Sequence, residues 1–179
     1  MSGMSGSGKT WLAEKLAPLL EAVHLRSDVE RKREAGLAER ERSGSSLGQG
    51  VYSRAASARV YERLAQYADD ALAGGYTVIV DATFHRHDDR VRFRDWAAQR
   101  GVDLRLIHCH ALRNVLEARI AERDRSGADA SEADLSVLQW QEKHFEPIEA
   151  DEGLAVIDVD TTRSGAVSEI LGWITTAGR

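Results

Sequence analysis

The feature that most constrains this chain is a glycine-rich segment at its start. Residues 3–10 read GMSGSGKT, which is a complete G-x-x-x-x-G-K-[ST] motif. The glycines let the backbone curl so that successive N–H groups converge on phosphate oxygens, and a helix beginning near Gly8 adds its positive end. In this motif Lys9 reaches the β- and γ-phosphates, and the Thr10 hydroxyl ligates Mg²⁺. The segment therefore predicts a phosphate-binding loop rather than a chance glycine-rich turn.

The residues before this loop are too few for the strand that should precede it. A phosphate loop follows a buried strand, but only Met1 and Ser2 stand before Gly3. We therefore expect the natural polypeptide to extend upstream with a short apolar strand, or else another segment, for example from a second copy of the chain, to take its place. Otherwise a slot with unpaired backbone groups would separate the strands predicted at 76–81 and 102–109.

Composition limits the classes of protein that fit. The 179 residues suffice for one domain with a core, and the net charge of −5 argues against general nucleic-acid binding. Cys109 is the single cysteine, which excludes an internal disulfide and suits a reducing compartment. No apolar run approaches the length of a membrane span, and the start lacks a signal-peptide pattern. We expect a cytoplasmic protein with no membrane partner.

Apolar runs alternate with helical patterns along the whole chain. Continuous apolar segments such as YTVIVD are typical of strands buried on both faces of a parallel sheet. This alternation predicts an α/β fold, with one domain spanning 1–179. The predicted strands are 22–27, 76–81, 102–109 and 154–160. The predicted helices are 11–20, 28–42, 53–72, one that ends at Gly101, 111–125, one that a capping box at 131–134 begins, and 164–175, with a flexible loop at 43–50.

Asp81 closes the strand YTVIVD and is the candidate second phosphate-site residue. A carboxylate there can hold Mg²⁺, directly or through water, or bond the Thr10 hydroxyl. The alternative is an Asp that only caps the next turn. The following residue is Ala82, where nucleotide-hydrolysing ATPases often place Glu, and no Asn-Lys-x-Asp motif occurs. Both absences favour group transfer over a motor or switch.

Asp28 and Arg31 are the candidate acceptor-side pair. Asp28 follows the predicted strand 22–27, at the edge where ligands collect in open α/β sheets. Arg31 lies about one helical turn further, so both side chains can face one pocket. Asp28 could deprotonate an acceptor hydroxyl while Arg31 holds an anionic or polar part of the substrate. The alternative is an N-cap Asp on a charged surface helix.

Three arginines suit a closing lid over the γ-phosphate. Arg119 and Arg123 are four residues apart on one helix face, and Arg125 precedes a polar loop, which places a lid at about 119–131. The planar guanidinium matches phosphate oxygens. The alternative is ion pairing with Glu117, Glu122 and Asp124.

Two histidine-rich segments carry weaker signals. His108, Cys109 and His110 are strand neighbours that point to opposite faces, so they cannot converge on one metal ion. A second group follows Asp81 and could border an acceptor pocket, although a solvated loop is the simpler interpretation for each residue. This group comprises His85, Arg86, His87 and Arg90.

Taken with RSDVERK, VIVDAT and LEARIAERDR, the loop GMSGSGKT resembles the P-loop kinases of the nucleoside-monophosphate-kinase-like group. The chain is most similar to a bacterial predicted-kinase branch related to polynucleotide 5′-kinases, zeta toxins and chloramphenicol phosphotransferases. The resemblance implies a three-layer fold with sheet order 2-3-1-4-5, from which strand 1 is largely missing here. It also implies that Arg119 lies against adenine, that Arg123 reaches the phosphates, and that adenine rests on the loop 160–163, which contains Thr161. Members of the group also occur fused downstream of an aminoglycoside-phosphotransferase-like domain.

The sequence and this resemblance together predict an ATP- and Mg²⁺-dependent kinase that phosphorylates a hydroxyl of a small molecule. A polynucleotide 5′-hydroxyl kinase and an ATP-binding regulatory module with little turnover are the alternatives. Nucleic acid is disfavoured because the chain is acidic and lacks interleaved aromatic and basic residues. The predicted catalytic residues are Lys9, Asp28 and Arg123. Asp28 and Arg31 are predicted to bind the acceptor, and Thr10 and Asp81 to hold the metal. The predicted nucleotide contacts are Gly3, Ser5, Gly6, Ser7, Gly8, Lys9, Thr10, Arg119 and Thr161.

Overall fold

The computed structural model describes residues 1–39, 41, 43–44, 50, 53–126 and 129–176. Residues 45–49 of the predicted loop 43–50 and residues 127–128 of the predicted lid therefore lie outside the described residues. The helices are α1 (Lys9–Leu19), α2 (Ser27–Glu34), α3 (Arg54–Ala73), α4 (His87–Arg100), α5 (Arg113–Ser126), α6 (Leu135–His144) and α7 (Ala166–Thr176). The strands are β1 (Ala22–Arg26), β2 (Thr77–Asp81), β3 (Arg105–His110) and β4 (Ala155–Asp160), and a 3₁₀ turn covers Ala150–Glu152.

The strands form two parallel pairs. β1 pairs with β2 from Ala22 opposite Thr77 to Arg26 opposite Asp81. β3 pairs with β4, with Leu106 opposite Val156. Helical crossovers join the strands, as parallel pairing requires. The α/β class predicted from the alternation of apolar runs is confirmed.

The first three residues lie between the two pairs. The Ser2 N–H donates to the Ile107 carbonyl, and the Cys109 N–H donates to the Ser2 carbonyl, both at 2.8 Å. On the other side, the Met1 ammonium donates to the Val80 carbonyl at 2.7 Å. Met1–Gly3 is thus a stub of a strand between β2 and β3. The full order 2-3-1-4-5 stays a prediction, because only this stub holds the place of the first strand.

Helices cover both faces of the sheet, and each layer has its own apolar core. On one face α1 and α7 pack on the strands through Leu12, Leu16 and Ile170. On the other face α3 and α4 close over Tyr61, Phe84 and Phe93, whose rings lie 5.0–6.0 Å apart. A third cluster joins α5 to α6 through Leu116, Ile120 and Leu138. This three-layer arrangement places the carboxyl ends of all four strands at one edge.

Two predicted helix boundaries are wrong for local reasons. The helix predicted over 28–42 ends at Glu34, because Gly36 follows with φ of 69° and its N–H bonds the Arg33 carbonyl. α6 begins at Leu135 rather than after a capping box at 131–134. Its N-cap is Asp134, whose side chain accepts from the Val137 N–H at 3.0 Å.

No helix among the described residues combines the length and the apolar character needed to cross a bilayer.

Candidate functional site

The glycine-rich loop adopts a conformation that side chains would block. Gly3, Gly6 and Gly8 have φ values of 140°, 79° and 86°. A Cβ on Gly6 would lie 2.7 Å from the Leu116 carbonyl oxygen, and one on Gly8 would lie 2.9 Å from Thr161 Oγ1. Gly8 is also the N-cap of α1 and carries no side-chain cap, so the first N–H groups of that helix face the loop. The curled backbone and the helix end form the cradle that phosphates require.

Two polar groups inside the loop fit an anionic ligand. Lys9 Nζ donates to the carbonyls of Gly3 and Met4 at 2.8 and 2.9 Å, so its charge lies inside the curl. Ser7 Oγ is buried and has no hydrogen-bond partner among the described residues. The backbone N–H of Ser5 donates to Gln141 Oε1 at 2.8 Å, so a side chain of α6 binds the loop at this residue. A phosphate would supply acceptors for these groups.

Asp81 lies next to the loop and is ionised. Its Oδ2 accepts from the Thr10 hydroxyl at 2.6 Å and lies 3.3 Å from His24 Nε2. Burial by itself would raise the pKa of Asp81, but the His24 hydrogen bond, the Lys9 charge and the Thr10 hydrogen bond lower it to about 2. The prediction that Asp81 bonds Thr10 is confirmed, and the alternative of a simple turn cap is not needed.

The donor set of Thr10 and Asp81 fits Mg²⁺. Mg²⁺ prefers oxygen ligands and usually takes only one or two from protein, the rest coming from phosphates and water. The described residues contain no group of three or more His, Cys, Asp or Glu side chains that could hold a metal by themselves. A metal here would therefore depend on the nucleotide for most of its ligands.

The acceptor-side pair opens on the same cavity as the loop. β1 ends at Arg26, opposite Asp81, and α2 begins at once, which puts Asp28 in its first turn. The N-cap position belongs to Arg26, so Asp28 is not the N-cap. Arg31 is held toward the cavity by its Nη1 bond to Ser57 Oγ at 3.2 Å.

The cavity has a volume of about 270 Å³ and joins the predicted groups. Among the predicted site residues, its lining includes Ser5, Gly6, Gly8, Lys9, Thr10, Asp28, Arg31, Asp81, Arg119 and Arg123. Gly3, Ser7 and Thr161 lie behind this lining. The structure therefore brings the loop, the carboxylate, the acceptor pair and two lid arginines to one place.

The arginines of α5 differ in their surroundings. Arg119 Nη1 donates to the Gly6 carbonyl at 3.1 Å and to Thr161 Oγ1 at 2.9 Å, while the Thr161 hydroxyl donates to the Ser7 carbonyl at 2.7 Å. Arg123 donates to the Ala133 carbonyl. Arg125 is exposed and pairs with Glu122. Two of the three arginines thus point at the site, and the surface ion-pair interpretation holds for Arg125.

Two ion pairs connect the segment after α5 to the acceptor side. Arg26 Nη2 donates to Asp129 at 2.7 Å, and the buried Lys32 ammonium lies 3.2 Å from Glu132. Glu132 also accepts two bonds from Ser43, at 2.8 and 2.9 Å. Residues 129–134 and α2 are therefore connected to each other as well as to the cavity.

Several residues of the site were missed in the sequence. His24 and Ser57 belong to no motif. His24 contacts Asp81 because β1 and β2 are neighbouring strands, and Ser57 contacts Arg31 because α3 packs on α2. Trp140 and Gln141 line the cavity from α6, and Asp129 lines it from the segment before that helix. In the sequence these residues are marked only by where they stand. Asp129 follows the arginine-rich helix, and Trp140 lies on the next helix.

Of the four residues predicted to border an acceptor pocket, the structure places only His85 in the cavity lining. His85 lines the cavity, and burial and the nearby Arg86 charge lower its pKa to about 4. Arg90 is not near the acceptor pocket; it is fully buried and makes two bonds to Glu152, at 2.7 and 2.5 Å. His87 lies 3.3 Å from the same carboxylate, and Arg86 pairs with Asp88. The contacts of Arg90 and His87 with Glu152 join α4 to the 3₁₀ turn, whereas the Arg86–Asp88 pair is an exposed pair at the start of α4.

The residues His108 to His110 belong to the sheet core and its edge. Cys109 is buried, and burial raises the pKa of its thiol to about 11. His108 packs on Phe145, with ring centroids 5.4 Å apart. The rings of His108 and His110 lie on one face of β3 with centroids 6.4 Å apart, and Cys109 lies in the apolar core on the other.

The phosphate loop, the buried carboxylate and the shared cavity define a P-loop nucleotide-binding protein of the α/β class. The model of the AAA_33 family, described as an AAA domain, matches residues 1–148, and this chain belongs to that family.

Curated relatives extend the comparison to longer proteins. Uncharacterised proteins of Mycobacterium tuberculosis and Mycobacterium bovis are each 30% identical to this chain over 131 residues. The match covers 73% of this chain but only 26% of each relative. The chain thus spans about a quarter of the length of the relatives it matches.

Solved structures share the fold. A sugar kinase of Janibacter sp. HTCC2649 superposes with a TM-score of 0.69 at 21% identity, covering 97% of this chain and 91% of that one. The APS kinase of Mycobacterium tuberculosis, solved with AMPPNP and APS, gives 0.67 at 21% identity, covering 99% and 95%. A gluconokinase of Sinorhizobium meliloti 1021 gives 0.64 at 22% identity, covering 98% and 90%. The fold of this chain is that of the P-loop kinases.

Proposed function

We propose that this protein is an ATP- and Mg²⁺-dependent kinase that transfers the γ-phosphate to a hydroxyl of a small molecule. One observation carries the proposal: the phosphate loop and the Asp28–Arg31 pair line the same cavity. A nucleotide and an acceptor held there would be side by side, which is the main requirement of phosphoryl transfer.

On the nucleotide side, the loop amides and Lys9 bind the phosphates. Lys9 would exchange its bonds to the Gly3 and Met4 carbonyls for phosphate oxygens, which are stronger acceptors. Ser7 Oγ, which is buried, would gain an acceptor. Thr10 and Asp81 would hold Mg²⁺, which neutralises phosphate charge during transfer.

On the acceptor side, Asp28 orients the hydroxyl and takes its proton. Arg31, fixed by Ser57, binds a polar or anionic part of the acceptor. From α5, Arg119 and Arg123 offset the charge that develops on the transferred group. Thr161 positions Arg119 and the loop through its bonds to both, and its contact with the adenine stays part of the proposal.

A small acceptor fits the site better than a polynucleotide. The cavity is about 270 Å³, and the net charge of −5 opposes binding to a polyanion. Three solved structures with this fold are a sugar kinase, a gluconokinase and an APS kinase, all enzymes with small substrates by their names. We propose a cytoplasmic location, and a fused further domain is compatible with a match that covers only 26% of the relative.

Single-turnover transfer from γ-labelled ATP tests this function against both alternatives. The assay uses a panel of sugars, sugar acids, nucleosides and 5′-hydroxyl oligonucleotides, with and without Mg²⁺. Labelling of one small-molecule class supports the proposal, and labelling of oligonucleotide ends alone makes the protein a polynucleotide kinase. ATP binding without transfer to any acceptor would point to a regulatory module.

Lys9→Ala is the matched loss-of-function variant. We expect transfer to fall by about 100-fold or more, because the charge that meets the β- and γ-phosphates is removed. Lys15→Ala, on the exposed side of the same helix, serves as the control. Near wild-type turnover of Lys9→Ala would place catalysis outside this loop.

A further inference from the structure

A chain of hydrogen bonds runs from the core beneath α3 to His85 in the cavity wall. The Phe84 N–H donates to the Tyr61 hydroxyl at 3.2 Å, and that hydroxyl also hydrogen-bonds the Thr83 side chain. Thr83 Oγ1 in turn lies 3.2 Å from His85 Nδ1. Burial raises the pKa of Tyr61 to about 12, so its hydroxyl keeps its proton. Tyr61 therefore accepts from Phe84 and has one proton to donate.

The direction of these hydrogen bonds fixes the tautomer of His85. The Tyr61 hydroxyl donates to Thr83, so the Thr83 hydroxyl donates to Nδ1. The ring is uncharged at neutral pH, because burial and the Arg86 charge lower its pKa to about 4. An uncharged ring carries one proton, and Nδ1 is an acceptor here, so that proton lies on Nε2.

The second ring nitrogen of His85 is available to a ligand. Nε2 has no hydrogen-bond partner among the described residues, yet it is not one of the buried polar atoms there that lack a partner. It is therefore open to solvent, and His85 lines the cavity together with Thr83. His85 thus presents one fixed, uncharged N–H to the occupant of this wall.

The helix α3 supports this donor and the acceptor-side arginine together. Ser57 and Tyr61 are one turn apart on α3, so they lie on the same face. Ser57 Oγ accepts from Arg31 at 3.2 Å, and Tyr61 reaches His85 through Thr83. One face of one helix therefore fixes two groups that can bind oxygens of an acceptor.

An aromatic side chain adds apolar surface beside His85. The rings of His85 and Trp140 lie edge to face with centroids 5.4 Å apart, and both residues line the cavity. The Trp140 ring also stacks on His144 at 4.3 Å, which holds it in place. Val137, about one turn before Trp140 on α6, lines the cavity as well. C–H groups of a ligand pack well on such a ring, because its faces carry partial negative charge.

We propose that His85 and Trp140 select a sugar ring as the acceptor. The His85 Nε2–H donates to an oxygen other than the one that is phosphorylated, and C–H groups of the ring pack on Trp140. A sugar ring has hydroxyls on its rim and C–H groups on its faces, which matches fixed donors beside an aromatic surface. An uncharged donor would not neutralise the phosphates of a polynucleotide. This inference rests on the proposed kinase function, because it names the acceptor of that same cavity.

The tautomer is tested by long-range ¹H–¹⁵N spectra of the labelled protein at neutral pH. The His85 signals are assigned from their loss in His85→Gln. We expect the Nε2–H tautomer in the wild-type protein. Thr83→Val keeps the size of the side chain but removes the hydroxyl, so both tautomers should be populated in that variant. A wild-type ring protonated at Nδ1 would overturn the proposal.

Sugar binding is tested by calorimetry in the presence of a non-hydrolysable ATP analogue and Mg²⁺. The probes are common pentoses and hexoses, the open-chain alcohols of the same sugars, adenosine and a 5′-hydroxyl oligonucleotide. We expect a ring sugar to bind about fivefold or more tightly than its open-chain alcohol, because only the ring offers a face to Trp140. Trp140→Leu should reduce that difference.

Variants of His85 separate the N–H from the ring. His85→Phe keeps an aromatic ring without the N–H, so the affinity for the sugar should fall about tenfold or more while that for the ATP analogue stays within about twofold. His85→Gln places an amide N–H near the position of Nε2 and should keep the sugar affinity within about threefold of wild type. His110→Gln changes an exposed histidine outside this cavity lining and is the control.

Each part of the proposal can fail separately from the proposed function. Equal losses in His85→Phe and His85→Gln, or no loss in either, would overturn the role of the N–H. Binding of no sugar, or of adenosine or the oligonucleotide alone, would overturn the acceptor class. Sugar binding with the expected changes but without phosphate transfer would support this inference and reject the kinase. Transfer to a sugar that His85→Phe binds normally would do the reverse.

Discussion

At the scale of single residues, Asp81 shows how one side chain joins two parts of the site. It closes β2, accepts from Thr10 on α1, and lies beside His24 on β1. With a pKa of about 2 it is ionised at neutral pH. A fixed negative charge next to a loop of N–H donors is suited to a cation that bridges to phosphate.

Asp28→Asn should lower kcat by about 100-fold or more and leave ATP affinity within about twofold, because general-base action is lost while the phosphate loop is intact. The measurement is steady-state transfer to the acceptor found in the panel, with ATP binding by calorimetry. Asp70→Asn, an exposed change on α3, is the matched control. A parallel loss of ATP affinity would move Asp28 to the metal side of the cavity.

Gly8→Ala should destabilise the protein by about 1–3 kcal/mol, because its φ of 86° is strained for Ala and the new Cβ would contact Thr161. Gly172→Ala is the opposite case, since α7 leaves open space around it and Ala lowers the entropy of the unfolded chain. That change should stabilise by about 0.5–1 kcal/mol. Urea unfolding of both variants measures the two changes in the free energy of unfolding. Equal changes in the two variants would contradict the prediction.

At the scale of elements, α5 carries two arginines that face the site and one that faces solvent. Arg119 and Arg123 bond backbone or hydroxyl oxygens of the loop, of Thr161 and of Ala133, whereas Arg125 forms an exposed pair. The two bonded arginines are one turn apart, so α5 presents both to the cavity. The Asp129 and Glu132 contacts then connect the segment that follows α5 to the end of β1 and to α2.

Arg123→Ala should reduce kcat by about tenfold or more and change ATP affinity less, because an arginine of this kind acts mainly on charge in the transition state. Arg125→Ala removes an equal charge from the same helix and should leave both quantities unchanged. Stopped-flow transfer and nucleotide binding measure the two effects. If the two variants behave alike, Arg123 has no role beyond the surface.

At the scale of the whole molecule, the Arg90–Glu152 pair connects α4 to the turn before β4. Both side chains are fully buried, and the Arg90 bonds lower the pKa of Glu152 from 4.5 to about 2. Since the folded-state pKa is depressed, this contribution to stability is present above about pH 4.5. It is lost as the pH falls toward 2.

Glu152→Gln should cost about 3–5 kcal/mol at pH 7, because it leaves the Arg90 charge buried without its carboxylate. The difference from the wild-type protein should shrink as the pH falls from about 4.5 to 2. Asp151→Asn, the exposed neighbour, should change stability by less than about 0.5 kcal/mol. The urea midpoints of the wild-type protein and of Glu152→Gln are measured over this pH range. If their difference does not depend on pH, the ionised carboxylate is not the cause.

Local sequence alone determined the phosphate loop, the strand that ends at Asp81, and the α/β class. Each depends on residues close in the chain: glycines that permit positive φ, and apolar runs whose length and period set the element.

Only the tertiary structure decided which charged residues serve the site and which serve the core. Arg31 was predicted to bind the acceptor and Arg90 to border its pocket or lie in a solvated loop, yet only Arg31 lines the cavity, and Arg90 is buried against Glu152. His24 contacts Asp81 through strand register, which no short motif records. Such contacts join residues 57 or 62 positions apart, so they depend on how the layers pack rather than on local sequence.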